Sequence, residues 1–118
     1  MASFTLKRVY DPPQKSDGLR ILVDRLWPRG LKKEAAAIDI WCKDLAPSSE
    51  LRRWFHHDPD RWEAFAERYR KELVARTTPT EALLEQVGDR TATLLYGARD
   101  RERNHALVLL EFLTDFSK

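Results

Sequence analysis

Ala92-Thr93-Leu94-Leu95-Tyr96-Gly97 is the stretch on which the fold turns. Its first five residues are apolar almost one after another, and Arg90 and Gly97 bound them. A strand with one wet face alternates apolar and polar residues. A strand covered on both faces reads apolar throughout, as in a parallel sheet between two layers. A charged loop follows, and residues 104–116 then supply Leu107, Val108, Leu110 and Leu113 for a helix against the core. A buried strand that runs on into a helix is the repeating unit of a parallel α/β fold.

The same pattern extends toward the amino terminus. Residues 19–23 form a second apolar run, interrupted by Arg20 and ended by Asp24. Residues 4–9 form a shorter strand of imperfect phase, stopped at Asp11-Pro12-Pro13 because proline lacks an amide donor and restricts its predecessor. Ser16-Asp17-Gly18 is a turn cluster, and Trp27-Pro28-Arg29-Gly30 is too densely punctuated for a regular element. Residues 31–37 read as a short helical turn, and Ile38-Asp39-Ile40-Trp41 alternates like a strand.

After the loop Ala46-Pro47-Ser48-Ser49, three helices are expected. Ser48 or Ser49 caps the first, which carries Leu51, Trp54 and Phe55. Asp58 and Pro59 open the second, with Trp62, Phe65, Ala66, Tyr69 and Leu73 at helical spacing. Thr78 and Glu81 have capping-box spacing for the third, which ends near Gly88. The expectation is one α/β domain over residues 1–118, a small, mostly parallel sheet flanked by helices in three layers.

Length and composition set bounds on function. The 118 residues suffice for one core, and 42% hydrophobic with 34% charged residues excludes a mainly disordered chain. Lys and Arg number 21 against 19 acidic residues, a net +2 that admits an anionic ligand without demanding nucleic acid. Cys42 is the sole cysteine, so intramolecular disulfides and multi-cysteine metal sites are excluded, which suits a reducing compartment. The first residues lack a basic segment followed by an apolar run, and no apolar stretch approaches membrane-spanning length. A cytoplasmic location is expected.

Two segments carry candidate chemistry. In open α/β sheets, ligands bind outside the carboxyl ends of the strands. Asp24-Arg25-Leu26-Trp27-Pro28-Arg29-Gly30 begins at such an end. Arg25 and Arg29 offer planar donor forks for a phosphate or carboxylate, Trp27 offers a stacking face, and Asp24 can orient an arginine or act as a base. The bland alternative pairs Asp24 internally and makes Trp27 a core plug. Gly97-Ala98-Arg99-Asp100-Arg101-Glu102-Arg103-Asn104-His105 is the second. Gly97 permits close approach, Asn104 orients a ligand or simply caps the helix, and His105 titrates near neutrality and is the candidate for proton transfer. Arg99, Arg101 and Arg103 alternate with acids and read as a solvated face; in a rival reading they form, together with Arg52 and Arg53, a basic surface that meets nucleic acid or a protein partner.

Three negatives narrow the field. His56-His57-Asp58 has no third ligand at useful spacing, so no metal is expected there. Cys42 lacks the surroundings of an activated thiol. No glycine-rich phosphate fingerprint, Ser-centred elbow or paired-histidine zinc motif occurs, and the sequence names no cofactor.

Lys7-Arg8-Val9-Tyr10-Asp11, the block from Asp24 to Gly30, Ser49-Glu50-Leu51-Arg52, Thr93-Leu94-Leu95-Tyr96 and Asn104-His105-Ala106-Leu107-Val108-Leu109 together resemble the bacterial YeaO-like family, over nearly the whole chain. That family is a domain of unknown function, so the resemblance implies a fold and a pocket but no activity. Broader relatives carry an Asp-x-Arg strand end and a Cys-His-Arg helix start. The resemblance sets Asp24-Arg25 and Asn104-His105 at those places, and Asn104 in place of cysteine removes thiol chemistry from the second.

Overall fold

The computed structural model describes residues 3–56 and 58–116. Four parallel strands, β1 (Ser3–Arg8), β2 (Leu19–Leu22), β3 (Ile40–Trp41) and β4 (Thr91–Tyr96), form one sheet in the order β1-β4-β2-β3. Ile21 pairs with Leu94 and Leu22 with Leu95, while Leu6 faces Leu94 from the other side of β4. The stretch that opened the sequence argument is thus a central strand. Because all pairings are parallel, every strand ends at the same edge of the sheet.

Side chains of a strand alternate between faces. Ala92, Leu94 and Tyr96 enter the larger core with Ile21 and Val23, whereas Leu95 and Leu22 join Val9 in a smaller one. The larger face is covered by α2 (Ser49–His56), α3 (Trp62–Val74), α4 (Thr77–Val87) and α5 (His105–Phe116), which contribute Leu51, Phe65, Tyr69, Leu73, Leu83, Leu109 and Leu113. The other face is covered by α1 (Lys33–Ala36) and its flanking loops, with Trp27, Leu31, Ile38 and Trp41 only partly buried there. The three layers are therefore unequal.

Local signals explain most boundaries. Ser48 Oγ accepts from the Leu51 amide and starts α2, and Asp58 accepts from the Asp60 amide with Pro59 next, opening the 3-10 turn before α3. The capping box expected from Thr78 and Glu81 does not form. Helix α4 already begins at Thr77, and Thr80 Oγ1 instead donates back to the Arg76 carbonyl. The alternation at residues 38–41 yields only a two-residue strand, because Ile38 packs with the thin face while Asp39 Oδ2 accepts from the Arg20 amide, 2.8 Å. Arg20, which interrupts β2, is 4% exposed and clamps the carbonyls of Ala36 and Ala37 with its guanidinium.

Candidate functional site

Asp24 follows β2 and ties four elements together. Its carbonyl accepts from Trp41 Nε1 at 2.8 Å, beside β3, and its Oδ2 accepts from the Gly97 amide at 2.9 Å, just past β4. Its Oδ1 lies 2.8 Å from His105 Nε2 on the first turn of α5. The residues 24–30 and 97–105 therefore meet at the carboxyl edge. His105 Nε2 also lies 3.2 Å from the Val23 carbonyl. Two acceptors face that nitrogen, so it carries the proton. The N–H aligns with Val23, which leaves Asp24 Oδ1 sealed from solvent with the imidazole in range but no aligned donor.

Gly97 lies close under the Asp24 side chain. A Cβ on it would come within 2.9 Å of Asp24 Oδ2 and 3.8 Å of Pro28 Cβ. The space over the β4–α5 junction is thus filled by the chain's own carboxylate and by Pro28. Asn104, 2% exposed, is the helix cap. Its Oδ1 accepts from the Leu107 amide at 3.0 Å, and its Nδ2 donates to the Asp100 carbonyl.

The arginines divide into held and open. Arg25 donates to the Pro47 and Ala46 carbonyls, while Arg76 takes Ala46 and Asp44 and Tyr69 takes Leu45. Successive carbonyls of a loop without a strand partner are satisfied this way, as buried acceptors must be. Arg8 Nε donates to Ala98, and Arg101 pairs in bidentate fashion with Asp11 at 2.9 and 3.1 Å. A hydrogen bond from Arg101 holds the Asp11 carboxyl below its usual pKa. Arg29, Arg99 and Arg103 are exposed, and their guanidinium groups have no ion-pair partner among the described residues. The backbone of Arg29 is nonetheless fixed, since its carbonyl accepts from Tyr10 Oη at 2.8 Å.

Trp27 is half plug and half wall. Its Nε1 donates to the Leu31 carbonyl, and its ring meets Trp41 edge to face at 5.3 Å. The two rings line a notch of about 260 Å³ with Lys33, Ile38 and Asp39. A second cleft, about 280 Å³, lies between β3 and α4 and includes Cys42, Lys43, Leu83 and Gln86. Burial pushes the Cys42 thiol up to about 11, so it stays protonated near neutral pH. Among the described residues, no group of three or more His, Cys, Asp or Glu could hold a metal ion, and His57 lies outside those residues. Arg52 and Arg53 are exposed on α2, next to a Trp54 ring flanked by the guanidinium groups of Arg61 and Arg68 at 4.7 and 4.1 Å.

Sequence reasoning missed Lys33 and Asp39, whose proximity arises only when the loop around α1 folds over the sheet. It read Asp17 only as part of the Ser16-Asp17-Gly18 turn and missed its pairing with Lys7 and Arg20.

A small parallel α/β domain with a carboxylate-sealed strand edge is what the geometry defines. The chain belongs to the family described as the "Inactive DUF488-N3 subclade", whose model matches residues 3–118. It is 48% identical over 107 residues to "Uncharacterized protein YeaO" of Escherichia coli (strain K12), covering 91% of this chain and 93% of that protein. It is 44% identical over 106 residues to "Uncharacterized protein Rv3073c" of Mycobacterium tuberculosis (strain ATCC 25618 / H37Rv), covering 90% and 89%. No solved structure matches significantly.

Proposed function

We propose that the protein binds a small anionic, phosphate-bearing ligand at the carboxyl edge of its sheet and does not turn it over. The observation that carries this reading is Arg29, an open guanidinium on a loop whose backbone is pinned by Tyr10 and whose root is pinned by Asp24. Preorganised, charge-assisted donors are the strong ones in anion recognition. Arg99 and Arg103, across the Asp24–Gly97 bond in chain connectivity, supply further charge. In this reading Asp24, Gly97, Asn104 and His105 position the two loops, Arg25 holds the Ala46–Pro47 backbone, and the ligand sits on the rim above them. The word "inactive" in the family's description agrees with binding in place of turnover.

Calorimetric titration with inorganic phosphate tests it. Saturable binding should weaken about 10-fold to 150-fold in Arg29→Ala, the range for one charge-assisted hydrogen bond. Equal affinity in both proteins would remove Arg29 from the site. A second reading, a basic surface for nucleic acid, is favoured by the Arg61–Trp54–Arg68 stack beside Arg52 and Arg53. Binding of an oligonucleotide that falls steeply with salt and depends on Arg68 would support that reading instead.

A further inference from the structure

We infer that the notch lined by Trp27 and Trp41 holds the planar nitrogen heterocycle of the ligand, a nucleobase, while its phosphate lies toward Arg29. The phosphate half of this rests on the anion-binding reading, and the ring half rests on the notch alone.

The two indole rings meet at 71°, so a flat ring laid on one meets the other edge-on, the arrangement aromatic quadrupoles favour. Both indole N–H groups are already used, by Leu31 and Asp24, which fixes the rings; Lys43 Nζ lies over Trp41 at 3.9 Å but lines the β3–α4 cleft, so the notch is left with ring surface from Trp27 and from the rest of Trp41. Two polar groups complete the lining. Asp39 is exposed, and its Oδ2 accepts from the Arg20 amide at 2.8 Å, so the carboxylate is oriented while Oδ1 is open as an acceptor. Lys33 is exposed and has no ion-pair partner among the described residues.

One wall thus accepts hydrogen bonds and another donates them, with aromatic surface between. That set matches a ring edge carrying adjacent N–H donors and a carbonyl or ring-nitrogen acceptor. The volume, about 260 Å³, falls below the roughly 300–1,000 Å³ of sites that enclose whole ligands. It suits a single base whose sugar and phosphate lie outside. Trp27 and Arg29 are two residues apart in one loop, which keeps their backbones within about 7 Å of each other and puts both within reach of one mononucleotide. A free nucleoside monophosphate and an unstacked base of a single strand share this chemistry.

Tryptophan fluorescence and calorimetry during titration with GMP, guanosine, inorganic phosphate and an eight-nucleotide single-stranded RNA test the inference. GMP should quench the emission and bind at least about ten-fold tighter than phosphate, the effect of one stacked base. Asp39→Asn keeps an oxygen for the Arg20 amide, so it should fold. It should weaken GMP and guanosine about ten-fold and leave phosphate binding unchanged. Lys33→Ala, at an exposed position, should act in the same sense. Tighter binding of the RNA than of GMP, with the same Asp39 dependence, assigns the ring to a strand, and the reverse order assigns it to a free nucleotide. Guanosine that fails to bind while phosphate binds would overturn the ring site and leave the anion reading intact. Guanosine that binds through Asp39 while phosphate does not would do the opposite. Binding of GMP that Asp39→Asn and Lys33→Ala both leave untouched would also overturn it.

Discussion

Two aspartates flank β2, and their surroundings differ in a way that separates a closed edge of the sheet from an open one. Asp17, before the strand, is 6% exposed and receives Lys7 Nζ at 2.9 and 3.1 Å, the Gln14 amide at 3.0 Å and Arg20 Nη1 at 2.5 Å. Asp24, after the strand, has one oxygen on the Gly97 amide and the other beside His105 without alignment. The amino edge is thus a completed network that locks the turn to the sheet, where Thr93 Oγ1 also donates to the Asp17 carbonyl. The carboxyl edge holds its loops with fewer bonds and keeps open cations on its rim. A fully satisfied network rigidifies, and the sparser one at the carboxyl edge fixes its loops less firmly.

The largest effect is expected at the amino edge. Asp17→Ala strands a buried Arg20 and a half-buried Lys7, and removing one partner of a buried ion pair costs about 3–5 kcal/mol, readable as a loss of urea stability. Asp24→Ala should cost clearly less, since its side chain holds one amide and one imidazole and not two cationic side chains.

Each aspartate has a glycine beside it, which sharpens the contrast. At Gly18, with φ +64°, a Cβ would meet the Thr91 carbonyl oxygen at 2.1 Å, backbone that cannot move aside. Gly18→Ala should cost about 2–4 kcal/mol, combining a left-handed alanine with overpacking. At Gly97 the obstacle is the tip of the Asp24 side chain, so Gly97→Ala should cost about 1–2 kcal/mol and loosen the 24–30 loop. Equal losses at the two glycines would contradict the difference drawn between the edges.

Acid should separate them next. Burial alone would raise the Asp17 carboxyl, but hydrogen bonds from Lys7, the Gln14 amide and Arg20 together hold it below its usual value. A carboxyl whose folded pKa is depressed adds stability that is full above the unfolded-state value, about 4, and is lost as pH falls toward the lowered native value. Thermal melts should therefore lose stability below about pH 4, and Asp17→Asn should flatten that decline.

The smallest effect is chemical. Cys42 should react with thiol reagents at pH 8 many-fold more slowly than a free cysteine, because burial keeps its thiol protonated. Rapid labelling of the folded protein would show the β3–α4 cleft to be open.

What the sequence disclosed follows from how local each signal is. Strand β4 was readable because burial on both faces writes itself into consecutive residues. The caps at Ser48, Asp58 and Asn104 were readable because a cap acts within three residues of itself. The box at Thr78 misled, since Thr80 had a competing bond to the preceding turn. Arg20 looked like an interruption of a strand, and only the return of residues 36–37 past the sheet gives its charge a lining of carbonyls. In the candidate site, the approach of residues 24 and 97 followed from parallel strand ends sharing an edge. That Arg25 holds a distant loop, while Arg29 stays open, depends on where residues 44–47 pass, which no spacing in the chain records.

Amide chemical-shift mapping by NMR during a titration with inorganic phosphate tests the account most directly. It should give saturable shifts centred on residues 29–30 and 97–103, with residues 14–20 at the amino edge unmoved. Shifts confined to residues 52–68, or no saturable shifts at millimolar phosphate, would contradict an anion site at the carboxyl edge.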